Sequence, residues 1–412
     1  MEAHRFILDL LIIVLTARIF AEIAMRLKAP SVIGELFAGV LIGPSILGWI
    51  EPIDAFRFLA EVGIILLLFE VGLSTDIKRL LYTGKKSTLV AIIGFVAPML
   101  LGFSVAYWMF HMALLESLFI GGTLTATSIG ITVRVLTELK INHSHEGQIV
   151  IGAAVLDDVL GVMLLAVLYE FSVEGEISLA NSGKVFIFVT IFFILAPIMA
   201  KLISIGIKRF DAISELPGLL PTTIISLVLF FAWLAHAMGA PEMLGGFAAG
   251  IALSRRFFLP LGLALHTDDK FSKLIEQQMQ PIISLFTPIF FVVVGLSINF
   301  REINWTSPHV WEFSIVLLAS AFAGKLLGAL FIRESWSTRL MIGMSMIPRG
   351  EVGLIFAELG RLSGILNNEV HASLVIVIVL TTIIPPLSIK WFYRKYGHQL
   401  RGIRDESATT EL

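Results

Sequence analysis

Apolar stretches of about 20 residues recur along the whole chain, and a helix of that length is what crosses the hydrocarbon core of a bilayer. Thirteen can be marked: 6–26, 31–50, 55–75, 87–110, 114–138, 146–171, 183–207, 219–239, 241–258, 281–299, 308–332, 337–361 and 368–393. Of the 412 residues, 57% are hydrophobic and 15% charged, against about 45–50% and about 25% in soluble domains. Too little polar surface remains to cover a water-soluble globule, so membrane lipid must serve as part of the solvent. The expected fold class is an all-α polytopic membrane protein of about 13 transmembrane helices. The segment 260–280, with His266, Asp268, Asp269, Lys270, Lys273 and Glu276, is too polar to span and reads as an amphipathic helix at the membrane surface. The first stretch lacks a small-residue cleavage site and reads as a span.

Composition also removes several function classes. The chain has no cysteine, hence no disulfide or thiolate metal site. No basic stripe with interleaved aromatics points to nucleic acid. His143 and His145 sit in a polar loop and read as solvated. No nucleophile–base pair and no cofactor loop supports an enzyme. Positive charge alternates between loops. Arg26, Lys28, Lys78, Arg79, Lys85, Lys86, Lys140, Lys208 and Arg209 follow odd-numbered spans, whereas Arg5, Arg57, Lys184, Arg301 and Arg361 lie on the other side. The positive-inside rule then places the N-terminus outside and the C-terminus in the cytoplasm, as expected for a multi-pass protein of the inner (plasma) membrane.

Two short motifs repeat. Ile33-Gly34-Glu35-Leu36-Phe37-Ala38-Gly39 in the second span resembles Leu244-Gly245-Gly246-Phe247-Ala248-Ala249-Gly250 in the ninth. Val71-Gly72-Leu73-Ser74 ends the third, and Val294-Gly295-Leu296-Ser297 ends the tenth. Partners lie seven spans apart, and an odd offset reverses direction across the membrane. Inverted repeats with interrupted helices are the usual build of secondary transporters, with the ion site near the midplane.

Ionisable groups inside spans are costly, and each is a functional hypothesis. Asp157 and Asp158 sit mid-span in Val155-Leu156-Asp157-Asp158-Val159. Neighbouring helical residues diverge by about 100°, so one carboxylate can meet an ion while the other pairs with a cation. Two acids this close cannot both ionise cheaply; they titrate as a coupled pair, suited to trading a proton for a cation. The fifth span contains Gly121-Gly122-Thr123-Leu124-Thr125-Ala126-Thr127-Ser128-Ile129-Gly130, poor helix material whose hydroxyls and freed carbonyls are hard oxygen ligands. A hydroxyl-rich packing face would read the same way. The twelfth span is interrupted by Ile347-Pro348-Arg349-Gly350-Glu351-Val352-Gly353, where proline removes a backbone donor. Lys325 sits too deep to snorkel and needs Asp157 or Asp158 as its partner. Arg349 and Glu351 fit a structural ion-pair network as well as ion contact. Glu70 and Glu35 read as buried carboxylates of flanking helices, and Arg134 as snorkelling to the cytoplasmic side.

Together the Thr-Ala-Thr-Ser break, the Val-Leu-Asp-Asp-Val pair, Lys325 and the Pro-Arg-Gly-Glu-Val-Gly break resemble the second branch of the monovalent cation/proton antiporters. That branch includes NapA-type sodium/proton antiporters and Kef-type membrane domains. The likeness covers residues 6–393 and rests on four ordered motifs. It implies a NhaA/NapA-like fold with two broken crossing helices, a homodimer and an elevator-like cycle. Residues 1–86 and 172–280 would carry dimerisation-domain helices, 87–171 and 300–393 the transport core, 281–299 a linking helix and 394–412 a short tail. Asp158 would carry ion and proton, Asp157 would pair with Lys325, and Thr127 and Ser128 would occupy the crossover, with Na⁺ held at Asp158, Asp157 and Thr127. Kef-type proteins usually have Gln-Asp in place of Asp-Asp, and a large nucleotide-binding domain; this chain has Asp-Asp and a short tail. Glu70 resembles a Phe-Glu-x-Gly pattern of the sister branch, which leaves electroneutral, sodium- or potassium-selective variants open.

The expected activity is therefore export of Na⁺ or Li⁺ against protons, electrogenic and serving pH homeostasis. K⁺/H⁺ exchange remains open, because the same oxygens bind either ion. An organic-anion symporter on a similar core would be expected to lack the Asp-Asp pair with its opposing lysine. A channel would need a repeated selectivity-filter sequence, and none is present.

Overall fold

The computed structural model describes residues 3–74, 77–174, 218–254 and 269–408, with scattered helical positions between 187 and 207. All regular structure among the described residues is helical. In chain order the helices are α1 (Ala3–Arg26), α2 (Ser31–Ile42), α3 (Asp54–Ser74), α4 (Ile77–Ser104, ending in a wide turn over Val105–Met109), α5 (Leu114–Thr123), α6 (Ile129–Glu138) and α7 (His145–Glu174). They continue with α8 (Leu219–Ala237), α9 (Glu242–Leu253), α10 (Asp269–Leu296), α11 (Pro308–Leu330), α12 (Trp336–Ser345), α13 (Glu351–Leu362) and α14 (Asn368–Ala408). Most of the expected span 183–207, and residues 260–268 of the amphipathic segment, lie outside the described residues.

Among the described residues, six helices are long and apolar enough to cross a membrane by length and composition, and three shorter apolar helices accompany them. Apolar stretches and helices differ instructively. The second stretch was expected to be helical over 31–50, but α2 stops at Ile42, because the Gly43-Pro44 step turns the chain. The amphipathic segment is not a separate surface helix over 269–280, since α10 runs unbroken from Asp269 to Leu296. Pro281 and Pro288 sit within it, each costing one backbone bond without ending the helix.

The chain divides into two compact units. The first holds Met1–Glu22, Gly34–Tyr82 and Glu176–Asn299; the second holds Ile23–Ile33, Thr83–Gly175 and Phe300–Leu412.

In the first unit α3 packs against α9 and α10, and α9 against α8. Glycines permit the approach. A Cβ on Gly39 would overlap the Val292 carbonyl of α10, beside Gly295, and one on Gly72 would overlap the Phe247 carbonyl of α9, beside Gly250. The motif glycines of the second and tenth stretches thus meet each other, and so do those of the third and ninth. Exchanging each motif for its sequence mate turns one contact into the other.

In the second unit α11 and α14 pack together and receive α12 and α13. The core joins Phe119 and Leu124, Phe313 and Leu317, Phe356, and Val377 and Ile378, from α5 to α14. Gly324 and Gly328 of α11 lie against Pro98 and Gly94 of α4, bringing two long helices into near-backbone contact. Residues 23–33 are bound into this unit. Glu138 of α6 accepts from the Ser31 backbone N–H (3.0 Å) and from the Ser31 hydroxyl. Arg134 pairs with Glu138 at 3.5 Å, and Lys390 of α14 donates to the Ala29 carbonyl at 2.8 Å. The Arg134 side chain is partly exposed. Its fork is held by Glu138 and by the Ser31 hydroxyl at 3.1 Å.

Candidate functional site: two helix breaks and a buried charge cluster

The chain leaves helical structure over 124–128, between α5 and α6, and over 346–350, between α12 and α13. Helix ends strand backbone carbonyls and N–H groups that need other partners. At the first break the local hydroxyls satisfy part of this demand. Thr123 Oγ1 donates to the Phe119 carbonyl (2.9 Å) and Thr125 Oγ1 to the Gly122 carbonyl (2.7 Å). Two of the four hydroxyls in the motif are thereby engaged with their own helix.

The breaks bond to each other. The Ser128 N–H donates to the Pro348 carbonyl at 2.8 Å, and Thr127 Oγ1 to the Met346 carbonyl at 3.1 Å. One turn on, Thr132 Oγ1 donates to the Ser345 carbonyl at 2.8 Å. From the opposite side Arg349 Nη1 donates to the Ala126 carbonyl at 3.0 Å. Gly350 leaves room for the approach, since a Cβ there would come within 2.8 Å of Ser128 Oγ. Thr382 of α14 fastens the second break by donating to the Arg349 carbonyl. Sequence reasoning missed Thr132 and Thr382, which lie in ordinary helical surroundings.

The charges gather at this meeting point. Lys325 Nζ of α11 contacts Asp157 of α7 at 3.1 Å to Oδ1 and 3.0 Å to Oδ2, with neither side chain exposed. Asp158 is buried and within electrostatic range of Lys325. The Thr127 hydroxyl lies within hydrogen-bonding reach of Asp157 as well as of Met346. A hydroxyl carries one proton, so it can donate to only one of the two at a time. Arg349, fully buried, is in electrostatic range of Asp157. Glu351 opens α13, but its side chain lies outside the described residues. Glu70 sits on α3 in the first unit and is half-buried rather than buried. Glu35, on α2 of that unit, is fully buried.

Two carboxylates, a hydroxyl and the carbonyls of two broken helices form a hard-oxygen donor set, the kind that suits a partly dehydrated alkali cation. No group of three or more His, Asp or Glu able to hold a metal ion occurs among the described residues, so a cation there would rest on mixed oxygens.

A second polar cluster lies at the entrance to α12. Glu334 Oε1 accepts from Lys86 Nζ at 2.5 Å and lies 2.8 Å from His145 Nε2. The hydrogen bond with His145, then that with Lys86, holds the Glu334 carboxyl down at about 2, outweighing its partial burial. His145, read from sequence as solvated, is thus tied to a turn 189 positions away.

The family description "Sodium/hydrogen exchanger, transmembrane" matches residues 11–395. The chain belongs to this sodium/hydrogen exchanger family. It is 32% identical to the high-affinity Na⁺/H⁺ antiporter NhaS3 of Synechocystis sp., over 92% of this chain and 88% of that protein. It is also 32% identical to the Na⁺/H⁺–K⁺ antiporter GerN of Bacillus cereus, over 94% of this chain and 96% of that one. In fold it is similar to the sodium proton antiporter MjNhaP1 of Methanocaldococcus jannaschii, with a TM-score of 0.69 at 18% identity over 97% and 98% of the two chains. The second unit brings together both helix breaks, Asp157 and Lys325.

Proposed function

We propose that this exchanger-family chain is a secondary Na⁺/H⁺ antiporter that loads Na⁺ and H⁺ alternately at Asp158. The observation that carries the proposal is the buried Lys325–Asp157 pair, with Asp158 next along α7 and two helix breaks bonded together beside it. An alkali cation entering here would take oxygens from Asp158, Asp157 and Thr127, with Ser128 shaping the crossover. Drawing Asp157 into coordination deprives Lys325 of its partner, and the ammonium, stranded in a low-dielectric site, gives up its proton. Na⁺ then exchanges for two protons, one from Asp158 and one from Lys325. One net charge crosses per cycle, and 100 mV biases that step by about 2.3 kcal/mol.

In this reading the second unit, which holds all the charged site residues, is the moving transport body, and the first forms the dimer scaffold of an elevator. The reciprocal glycine contacts of the first unit support an inverted repeat of thirteen helices. The protein would lie in the inner membrane with its N-terminus outside and its C-terminus in the cytoplasm, and would export Na⁺ or Li⁺ in the service of pH homeostasis. Transport of K⁺ is a second reading, favoured by the 32% identity to a relative named for K⁺ as well as Na⁺.

The test is exchange in proteoliposomes. Na⁺-driven proton movement is expected in the wild type, steepened by a valinomycin-set potential, and absent from a folded Asp158→Asn variant. Substantial exchange by that variant in sealed vesicles would reject Asp158 as the carrier. Indifference to potential would reject the two-proton cycle. Replacing Na⁺ by Li⁺ and K⁺ in turn assigns the cation.

A further inference from the structure

Arg349 stands out among the groups this cycle leaves unused. Its side chain is fully buried. One guanidinium nitrogen donates to the Ala126 carbonyl, while Nε and Nη2 have no hydrogen-bond partner among the described residues. Burying a charge with open donors is expensive, and holding one carbonyl does not require it: a neutral amide would donate as well. A guanidinium stays protonated under all working conditions. Among the described residues, Asp157 from α7 and Lys325 from α11 lie in electrostatic range of it; the first break meets it with the Ala126 carbonyl, and Thr382 of α14 bonds its backbone carbonyl.

We infer that Arg349 is a positioning residue that serves as the permanent second counter-ion of the carrier site and sets which half of the transport cycle carries charge. The inference rests on the two-proton reading above. In the Na⁺-loaded site both aspartates are ionised, Na⁺ is bound, Lys325 is neutral and Arg349 is positive, so the four groups and the ion sum to zero. In the proton-loaded site Asp157 is ionised, Asp158 is protonated, and Lys325 and Arg349 are both positive, so the sum is plus one. Without Arg349 the sums become minus one and zero. The charge moved per full cycle is unchanged, but it passes from the proton-loaded crossing to the Na⁺-loaded crossing.

The two crossings can be separated by tracer ²²Na⁺/Na⁺ exchange at equal Na⁺ on both sides, which uses only the Na⁺-loaded crossing, with potential clamped by K⁺ and valinomycin. Wild-type exchange is expected to be the same at 0 and −100 mV. Arg349→Gln should exchange at 0 mV and slow severalfold at −100 mV, because a single charge is biased about fiftyfold between the two faces at that potential. Arg349→Lys should restore the wild-type indifference. A purely structural arginine would lower the rate equally at both potentials in the glutamine variant, and that outcome overturns the inference. A voltage-sensitive wild type with an indifferent glutamine variant would uphold Arg349 as counter-ion while rejecting the two-proton cycle, since a permanently charged Lys325 makes the wild-type Na⁺-loaded site plus one. If Arg349→Gln does not fold, the wild type decides alone. Indifference upholds the count that includes Arg349, and sensitivity together with a measured two-for-one stoichiometry overturns it.

Discussion

Lys325 Nζ lies 3.0 Å from Oδ2 and 3.1 Å from Oδ1 of Asp157, and neither side chain has exposed surface. Removing one member of such a pair deprives the other buried charge of its hydrogen-bonded partner, at a cost of about 3–5 kcal/mol, whereas removing both strands neither. Lys325→Gln is therefore expected to melt well below the wild type in detergent, and Lys325→Gln with Asp157→Asn to recover most of the loss. A double variant as unstable as the single one would mean that the two charges do not stabilise each other.

The Thr127 hydroxyl of the first break is placed to serve both the second break and Asp157. Thr127→Ala should raise the Na⁺ concentration for half-maximal exchange severalfold, in line with about 1 kcal/mol for a lost neutral hydrogen-bonding group. Thr127→Ser should retain near-wild-type affinity. Saturation curves of Na⁺-driven proton release read this directly, and an unchanged half-saturation value in the alanine variant would move the cation site away from Thr127.

How much of this was legible in the sequence depended on whether a residue clashed with its own surroundings. Asp157, Asp158 and Lys325 stand out because a charge in an apolar run has no local explanation. The breaks stand out because glycine, hydroxyls and proline oppose the helix around them. Thr132 and Thr382 are unremarkable helix residues whose roles depend on carbonyls 213 and 33 positions away, and no local pattern encodes those contacts. His145 was misread for the same reason: its polar loop looks solvated until folding brings Glu334 beside it. Apolar length also overstated α2, since Gly43-Pro44 ends the helix without interrupting the apolar run.

Glu334 gives a pH prediction outside the membrane-spanning helices. Its carboxyl is held at about 2 against an ordinary 4.5, chiefly by His145 and also by Lys86. A depressed carboxylate stabilises the fold above its unfolded value and loses that contribution as pH falls through the folded one. The stability difference between wild type and Glu334→Gln should thus be full at pH 7 and shrink between about pH 4.5 and 2. At pH 7 it should be about 1–2 kcal/mol, as for hydrogen bonds to a charged group. Thermal melts of both proteins across that range would show the curves converging in acid, and a gap constant down to pH 2 would contradict the ionised cluster.

The last prediction concerns the segment between α1 and α2. Its flanks, Met1–Glu22 and Gly34–Tyr82, belong to the first unit, yet residues 23–33 belong to the second. Four hydrogen bonds hold them there: the Ser31 N–H and hydroxyl each on Glu138, the Arg134 fork on the Ser31 hydroxyl, and Lys390 on the Ala29 carbonyl. If the second unit moves as the transport body, this short connection must travel with it, and the chain must flex at its two ends, near Glu22–Ile23 and Ile33–Gly34. The chain contains no cysteine, so Ser31→Cys with Glu138→Cys would introduce the only thiols, and a short bifunctional thiol reagent would join them. Both ends of that bridge lie in one unit. Cross-linked protein is therefore expected to keep exchanging Na⁺ for protons at close to the rate of the unbridged double variant. A block that appears on cross-linking and reverses when a cleavable bridge is reduced would show the opposite: residues 23–33 would have to part from α6 during the cycle, and the flexing points would lie elsewhere.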